Sequence, residues 1–346
     1  MTAIAEGDGY TIVENASLQG RNTFRVPARA QILIDVHKPG ALGDLFGYAA
    51  LKAKPLLVLG EGSNILFTRD WPSVVLSIAA RGIAVLDDDG DRARIRVEAG
   101  ENWNDFVRWS LGRGFVGLEN LVLIPGTVGA APIQNIGAYG AEVREFIACV
   151  EAWDRNAGKL LRIDHADCAF SYRDSLFKHD RNRYVVTAVE FDLPRHRELR
   201  IDYAGVREEL AVLGVTEPIA RTVAKAIARI RMRKLPNPAL IGNAGSFFKN
   251  PLVDAAKAQA LHAKHAGLPA WPAGDGRVKL SAAWLIEFCG FKGLREGDAA
   301  VSDQHALVLV NHGHASGAQI WALAARVRNE VRTRFGVELE PEPLVI

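Results

Sequence analysis

Two periods of apolar and polar positions run through the chain, and each predicts a different kind of secondary structure. Strict alternation, which is typical of strands, occurs at residues 31–36, 74–78, 94–98 and 185–193, the last read as half-buried. Patterns typical of helices occur at residues 40–52, 103–111, 222–235, 253–266 and 320–335. Uninterrupted apolar runs at residues 55–59 and 65–67 predict short strands. Strands and helices are therefore expected along the whole chain.

The two apolar runs are joined by the sequence GEGSN at residues 60–64. A dinucleotide-binding turn of the Rossmann type has a third glycine and continues into a helix, whereas this loop has neither feature. Its hydrogen-bond donors are backbone amides, the Ser63 hydroxyl and the Asn64 side-chain amide, which together suit a pyrophosphate. An ordinary hairpin turn is an equally good interpretation, because Gly62 and Asn64 suit such turns.

A glycine-rich stretch at residues 117–143 interleaves its glycines with apolar residues, so it is not a flexible linker. Glycine permits positive φ angles and lets a ligand approach bare backbone N–H groups, and Gln134 and Asn135 add neutral hydrogen-bonding groups. We interpret the stretch as a wall for a large, phosphate-bearing ligand. Tight turns between short buried strands are an alternative of similar weight.

Composition and charge exclude several classes of protein. The chain has 346 residues, enough for two or three domains, and its net charge of +2 gives no bulk support for nucleic-acid binding. Neither a signal peptide nor an apolar run of about 18 residues is present, so no membrane span is expected. Three widely spaced cysteines and scattered histidines predict a cytoplasmic protein without a metal site.

Two further segments concentrate polar chemistry among apolar residues. SYRDSLFK at residues 171–178 contains Arg173, which is able to bind a carboxylate in a bidentate manner or to hold a loop by pairing with Asp174. GNAGSFFKNP at residues 242–251 contains Ser246, for which nucleophile, proton donor and turn or cap residue remain open. Phe247 and Phe248 are expected to form an apolar wall beside it.

These segments, together with NTFRV, KLPNP and the terminal LEPE, occur in the order in which they are found in one family. The chain resembles the UDP-N-acetylenolpyruvoylglucosamine reductase (MurB) family of peptidoglycan synthesis from about residue 22 to residue 342. The long segment around Tyr203 resembles the longer class of that family. The glycine-rich stretch and GNAGSFFKNP together make this resemblance highly specific.

The resemblance implies an α+β fold. A two-part FAD-binding domain of the vanillyl-alcohol-oxidase (PCMH) type is expected at residues 1–81 and 82–232. A smaller α/β substrate-binding domain is expected at residues 233–334, and a tail at residues 335–346 is expected to return to the active site. FAD would be bound non-covalently, with NADPH as the hydride donor and a UDP-sugar as the substrate.

The resemblance also assigns site residues by matching positions. The residues expected to line the FAD are Gly60, Gly62, Ser63, Asn64, Pro125, Gly126, Thr127, Gly129, Ala130, Gln134, Asn135, Gly137 and Gly140. The residues expected to bind the substrate are Tyr203, Lys234, Asn250 and Gln304. His305 departs from the family pattern, because close relatives have a second glutamine there, and its contact with the sugar nucleotide is therefore open.

The implied catalytic residues are Arg173, Ser246 and Glu342. Arg173 and Glu342 would stabilise the intermediate, and Ser246 would protonate the α-carbon of the enolpyruvyl group after hydride addition. An anion beside a developing anion is unfavourable, so Glu342 is expected to be protonated or paired with Arg173 or Lys234. Another flavin oxidoreductase on the same fold, or a colourless nucleotide-binding module, are the competing interpretations.

Overall fold

The structure is a computed structural model that describes residues 4–48, 51 and 54–346. Backbone contacts divide the chain into two compact units. Unit 1 comprises Met1–Ala16, Ala30–Glu61 and Pro72–Arg231, and unit 2 comprises Ser17–Arg29, Gly62–Trp71 and Met232–Ile346. The division therefore cuts the GEGSN loop between Glu61 and Gly62. The predicted boundaries at residues 81, 232 and 334 stay a prediction.

The strands in the described part of the chain are β1 (Ile4–Gly7), β2 (Tyr10–Ser17), β3 (Arg29–Val36), β4 (Leu56–Val58), β5 (Ile65–Leu66), β6 (Trp71–Ile78), β7 (Ile83–Asp88), β8 (Arg92–Glu98), β9 (Gly137–Ala138), β10 (Ala141–Glu142), β11 (Ile147–Asp154), β12 (Lys159–Asp164), β13 (Tyr184–Pro194), β14 (Gly242–Ser246), β15 (Leu252–Asp254), β16 (Ala270–Pro272), β17 (Arg277–Leu280), β18 (Arg295–Glu296), β19 (Ala299–Val301), β20 (Val308–Asn311) and β21 (Leu344–Val345).

The α-helices in the same residues are α1 (Leu42–Gly47), α2 (Trp103–Gly112), α3 (Leu176–His179), α4 (Val206–Val212), α5 (Ala220–Lys234), α6 (Ala255–Lys264), α7 (Ala282–Phe288) and α8 (Gly317–Phe335). Helix α2 begins where the Asn102 side chain accepts a hydrogen bond from the Asp105 N–H. Helix α8 ends at Gly336, which has a φ of 62°. Both ends agree with the sequence pattern, because capping is a local property. None of the helices in the described residues is long and apolar enough to cross a membrane.

Unit 1 is built on two five-stranded sheets. The order of the first is β1-β2-β3-β6-β4, and that of the second is β12-β11-β13-β8-β7, in which every neighbouring pair is antiparallel. Apolar side chains of both sheets, of α2 and of α5 form one buried cluster, which includes Ile34, Val97, Phe106 and Ile227. This cluster supports the glycine-rich stretch, whose Val128 and Ala131 are part of it.

Unit 2 contains smaller sheets. One has the antiparallel order β14-β20-β19-β18, a second has the antiparallel order β15-β17-β16, and β21 pairs with β5 in parallel. Ala300, Val308 and Val310 form a buried cluster in the first of these sheets. Strand β21 belongs to the C-terminal tail, so the end of the chain is part of a sheet.

Two predicted elements differ from the structure. The helix expected at residues 40–52 ends at Gly47, where Tyr48 turns to an extended conformation, and Ala49, Ala50 and Lys52 lie outside the described residues. The strand expected to be half-buried, β13, is buried on both faces. It is the central strand of its sheet, so long side chains of the neighbouring strands extend over its polar face. Its polar face is covered by ion pairs, such as the bidentate contact of Arg162 with Glu190 at 2.6 and 2.8 Å.

Candidate functional site

Ser246 is the last residue of β14 in unit 2, so it is neither a helix cap nor a turn residue. The pairing of β14 with β20 contains a bulge between Asn243 and Ser246, and Gly245 has a φ of 68°. The Asn243 side-chain oxygen accepts a hydrogen bond from the Gly245 N–H at 3.0 Å. Bulges change the direction of a side chain, so this arrangement determines where the Ser246 hydroxyl points.

The C-terminal tail lies beside the residues that follow Ser246. The Glu342 N–H donates to the Phe247 carbonyl at 2.9 Å, and the Lys249 N–H donates to the Glu340 carbonyl at 3.0 Å. Because Phe247 follows Ser246 directly, these hydrogen bonds hold the backbone of Glu342 next to that of the serine. The structure therefore brings together two of the three expected catalytic residues within unit 2.

The other edge of the tail is held by the GEGSN loop. The Asn64 side-chain amide donates to the Glu342 carbonyl at 3.3 Å, and the Leu344 N–H donates to the Asn64 carbonyl at 3.0 Å. The hairpin interpretation of this loop is wrong, because β4 pairs with β6 whereas β5 pairs with β21. The sequence could not show this, since the partners of Asn64 lie 278 and 280 residues away along the chain.

Phe247 and Phe248 are core residues of unit 2 rather than walls of an open site. They are 0% and 2% exposed, and their ring centroids lie 5.1 Å apart in an edge-on arrangement. Phe247 also contacts Phe24 at 6.0 Å between centroids. Their burial anchors the end of β14, so the position of Ser246 depends on the core behind it.

The expected substrate residues of unit 2 are distributed over three elements. Lys234 is the exposed last residue of α5. The side-chain oxygen of Asn250 accepts from the Ala282 N–H at 3.0 Å, at the start of α7. Gln304 lies in the turn before β20, where its N–H donates to the Ser302 hydroxyl at 3.2 Å. Their roles in substrate binding stay predictions.

His305 has one ring nitrogen engaged by the backbone. Its Nδ1 accepts from the Leu307 N–H at 3.2 Å, so the neutral ring carries its proton on Nε2. Burial lowers the pKa of His305, and the charges of Lys234 and Lys292 lower it further, whereas Glu287 raises it. The ring is therefore neutral at pH 7 and presents one N–H donor, whereas a glutamine amide would present two and a carbonyl acceptor.

In unit 1, Gly60 packs against the start of the glycine-rich stretch. A Cβ atom on Gly60 would lie 2.8 Å from the Thr127 hydroxyl oxygen, and one on Gly129 would lie 2.5 Å from the Cβ of Ala99. A Cβ would therefore displace the Thr127 side chain at Gly60, and Ala99 together with its backbone at Gly129. The N–H groups of Gly126, Val128, Gly129 and Ala130 donate within the protein, to Glu61 and to the carbonyls of Glu101, Ala99 and Thr127, so they fix the backbone of this segment.

Glu61 joins these two loops and was not among the predicted site residues. One of its carboxylate oxygens accepts from the Asn102 side chain at 2.7 Å, and the other accepts from the Gly126 N–H at 3.1 Å. In the sequence it looks like an exposed loop glutamate, because both partners are distant along the chain. The flanking glycines were the only signal that the position is constrained.

We expect Glu61→Ala to weaken FAD binding, because it removes the hydrogen bond that joins the two loops, from Gly126, and the one that holds the carboxylate to Asn102. Two such bonds contribute about 1–2 kcal/mol, which corresponds to a roughly 5- to 30-fold higher dissociation constant for FAD. Equilibrium dialysis of the apoprotein with FAD measures the change. The exposed Glu14 of the same unit provides the control Glu14→Ala, and equal affinities in the two variants would contradict the role of Glu61.

Asn135, within the glycine-rich stretch, and Arg173, outside it, form the hydrogen bonds that join the stretch to the SYRDSLFK segment. Asn135 is fully buried, and its amide donates to Glu142 at 3.0 Å and to the Ser171 carbonyl at 2.9 Å. These bonds tie the stretch to the SYRDSLFK segment, and a contact of Asn135 with FAD stays a prediction. Arg173 has a φ of 56° and donates to the Gly137 carbonyl at 2.7 Å.

The alternative role of Arg173, as the partner of Asp174, stays a prediction. Asp174 contacts the His179 imidazole at 2.7 Å, and its backbone forms a bridge with Ser171. The left-handed conformation of Arg173 is uncommon for a residue with a side chain, and such residues cluster at functional sites. The guanidinium thus lies at the glycine-rich stretch of unit 1.

Comparisons with known proteins match both parts of the chain. A family model described as "FAD binding domain" matches residues 30–164, and one described as "UDP-N-acetylenolpyruvoylglucosamine reductase, C-terminal domain" matches residues 237–346. A crystal structure of UDP-N-acetylenolpyruvylglucosamine reductase (MurB) from Thermus caldophilus superimposes with a TM-score of 0.66 at 24% identity, covering 100% of this chain and 99% of that one. The predicted α+β fold, with a PCMH-type FAD-binding domain and a smaller second domain, is confirmed.

Curated relatives are similar over almost their full length. The UDP-N-acetylenolpyruvoylglucosamine reductase of Xanthomonas euvesicatoria pv. vesicatoria is 53% identical over 339 residues, which cover 98% of this chain and 97% of that protein. The protein of the same name from Xanthomonas axonopodis pv. citri is also 53% identical, with the same coverage. The chain therefore belongs to the UDP-N-acetylenolpyruvoylglucosamine reductase (MurB) family of FAD-dependent oxidoreductases.

Proposed function

We propose that the protein is a UDP-N-acetylmuramate dehydrogenase, which uses NADPH to reduce the enolpyruvyl group of UDP-N-acetylglucosamine enolpyruvate in peptidoglycan biosynthesis. The observation that carries the proposal is the arrangement around β14, where a bulge directs Ser246 and the backbone of Glu342 is bound to the next residue. A serine needs a base to act as a nucleophile, whereas its hydroxyl is able to supply a proton directly to a carbanion.

The residues that would hold FAD are those of the two glycine-containing loops. The backbone amides of the GEGSN loop, with the Ser63 and Thr127 hydroxyls, are the donors we assign to its diphosphate, and Gly126 and Gly129 are assigned to the backbone that lines it. When bound, FAD would accept a hydride from NADPH and transfer a hydride to the β-carbon of the enolpyruvyl group. Binding of the substrate and donation of the final proton are assigned to side chains of the protein.

We assign the substrate carboxylate to Arg173. Negative charge grows on the carboxylate side of the enolpyruvyl group as the hydride is added, and a planar guanidinium stabilises that charge through two parallel hydrogen bonds. Such stabilisation is strongest when the donor is already oriented, and the hydrogen bond of Arg173 to the Gly137 carbonyl restrains its orientation. Loss of one such donor costs about 10²- to 10³-fold in rate.

We assign the final proton to the Ser246 hydroxyl, which would protonate the α-carbon on completion of hydride addition. Proton transfer from a positioned group contributes about 10²- to 10⁴-fold. Glu342 would assist either in its protonated form or as a carboxylate paired with Arg173 or Lys234. Tyr203, Lys234, Asn250 and Gln304 are assigned to the sugar nucleotide, and the Nε2–H of His305 is available as the donor that replaces a glutamine.

Anaerobic stopped-flow absorbance tests the proposal. NADPH that is added without excess over the enzyme is expected to reduce the flavin of the purified protein and so to bleach it. The enolpyruvyl nucleotide is then expected to restore the oxidised spectrum with formation of UDP-N-acetylmuramate. UDP-N-acetylglucosamine, which lacks the enolpyruvyl group, is the control and is expected to leave the flavin reduced. A colourless protein, or reduced flavin that the enolpyruvyl nucleotide does not reoxidise, would contradict the proposal.

A further inference from the structure

The turn between β9 and β10 breaks a local rule. Ala138 pairs with Ala141, so the strands are joined by the two residues Tyr139 and Gly140, which have φ angles of 49° and 81°. Two-residue turns with positive φ at both positions favour Asn-Gly, because asparagine adopts this conformation more easily than a bulky residue. A tyrosine at the first position is therefore unfavourable for the hairpin alone. Its presence there points to a role for the ring.

The ring of Tyr139 contacts Tyr203. Their centroids are 5.2 Å apart with an interplanar angle of 67°, an edge-to-face geometry that is favourable for aromatic pairs. Tyr203 is 52% exposed, so one side of its ring rests on Tyr139 while much of the rest is accessible. Tyr203 lies in a segment without regular secondary structure between β13 and α4. Contacts with other elements must therefore define its position.

The buried side-chain amide of Asn120 connects the segment that contains Tyr203 with the β9–β10 hairpin. Asn120 is 1% exposed, and its side chain donates to the Tyr139 carbonyl at 2.8 Å and to the Arg200 carbonyl at 2.9 Å. One side chain thus satisfies a carbonyl on each of the two segments. Because an unsatisfied buried carbonyl is costly, the two segments are held in one relative position.

Arg200 makes a second connection between the same segments. Its guanidinium donates to the Gly140 carbonyl at 2.6 Å and forms two hydrogen bonds of 2.7 Å with Glu145. Burial raises the pKa of Glu145, but hydrogen bonds from Arg197, the Glu142 N–H and Arg200 outweigh it and lower the pKa below its ordinary value. The carboxylate is therefore charged at neutral pH, and the ion pair with Arg200 is present under working conditions.

We propose that Asn120, Tyr139 and Arg200 are positioning residues that hold Tyr203 in place for the sugar nucleotide. This inference rests on the proposed function, which assigns Tyr203 to that ligand. The same hairpin carries Gly137 and Gly140, which are assigned to FAD. The hairpin of the cofactor loop and the segment that contains Tyr203 are therefore joined through Asn120 and Arg200.

Variants at Tyr139 distinguish a role in the positioning of Tyr203 from a role in the stability of the β9–β10 hairpin. In Tyr139→Asn the turn gains its preferred residue, so the melting temperature of the FAD-loaded protein is expected to stay the same or rise. Binding of UDP-N-acetylmuramate, followed by perturbation of the flavin absorbance, is expected to weaken by about 3- to 10-fold, because Tyr203 loses its aromatic partner. Tyr139→Phe keeps the ring and is expected to bind like the wild type.

With both proteins fully loaded with FAD, Arg200→Ala is expected to weaken binding of the same probe relative to the wild type. Its matched control is Arg207→Ala, which removes an exposed ion pair with Asp202 close to Tyr203 but leaves the hairpin connections intact. Unchanged binding in both Tyr139→Asn and Arg200→Ala would overturn the inference. Weakened binding in Tyr139→Phe would also overturn it, since that result would indicate a ligand contact of the hydroxyl rather than positioning.

Failure of the proposed function has a different signature. In that case the wild-type protein would neither bind UDP-N-acetylmuramate nor be reoxidised by the enolpyruvyl nucleotide, and both proposals would fall. A wild type that passes both tests, with variants that bind as tightly as it does, would overturn the positioning role alone.

Discussion

In the Ser246→Ala variant, NADPH is expected to reduce the flavin at the wild-type rate, whereas reoxidation by the enolpyruvyl nucleotide slows by about 10²- to 10⁴-fold. The hydroxyl is the proton donor that we assign, and alanine removes it with little change in volume. Ser246 is the terminal residue of β14, paired with Val308, and the neighbouring Phe247 is fully buried, so the backbone is expected to keep its position. Single-turnover measurements of the two half-reactions give both rates.

The control for this variant is Ser281→Ala in the same unit. The Ser281 hydroxyl accepts a hydrogen bond from the Trp284 N–H at the start of α7, so its loss affects a helix end. A destabilisation of about 1 kcal/mol is expected, with both half-reactions normal. Normal reoxidation in Ser246→Ala would show that this serine is not the proton donor. Slow reoxidation together with a loss of flavin reduction by NADPH would indicate a structural effect of the substitution.

Replacement of Arg173 by lysine is expected to slow reoxidation by about 10²- to 10³-fold, because an ammonium group lacks the planar pair of donors that binds a carboxylate. The charge is kept, so the change tests geometry rather than electrostatics. Flavin reduction by NADPH and the FAD content of the purified protein are expected to be close to those of the wild type. The measurement is the rate of flavin reoxidation at saturating enolpyruvyl nucleotide.

Arg173→Ala complements this test, because it also removes the hydrogen bond to the Gly137 carbonyl. We expect the alanine variant to lose FAD more readily than the lysine variant and to share its slow reoxidation. If both variants are reoxidised normally once they are loaded with FAD, Arg173 has only the structural role of holding the glycine-rich stretch.

Local features of the sequence predicted most of the elements that surround the site. The periodicity at residues 103–111 and 320–335, the cap at Asn102 and the stop at Gly336 correspond to α2 and α8 as observed. These features depend on neighbours within a few residues, so a single sequence contains them. The motifs of the glycine-rich stretch and of GNAGSFFKNP were specific enough to identify the family.

Other properties depend on partners that are remote in the sequence. Alternation alone made β13 look half-buried, and only the side chains of neighbouring strands, such as Arg162 on Glu190, bury the second face. Glu61 looked like a loop carboxylate until Asn102 and Gly126 were found to donate to it. In the same way, Asn120 is inconspicuous in the sequence, although it connects Tyr139 with Arg200.

The sequence by itself determined the family, the secondary-structure elements and the residue types available for hydride and proton transfer. Only the tertiary structure decided that the GEGSN loop continues into a strand paired with the C-terminal tail, and that the Glu342 backbone lies beside Ser246. The physical reason is that capping and periodicity follow from adjacent residues. Strand pairing and buried hydrogen bonds are instead chosen by the packing of the whole chain, which brings together groups separated by hundreds of residues.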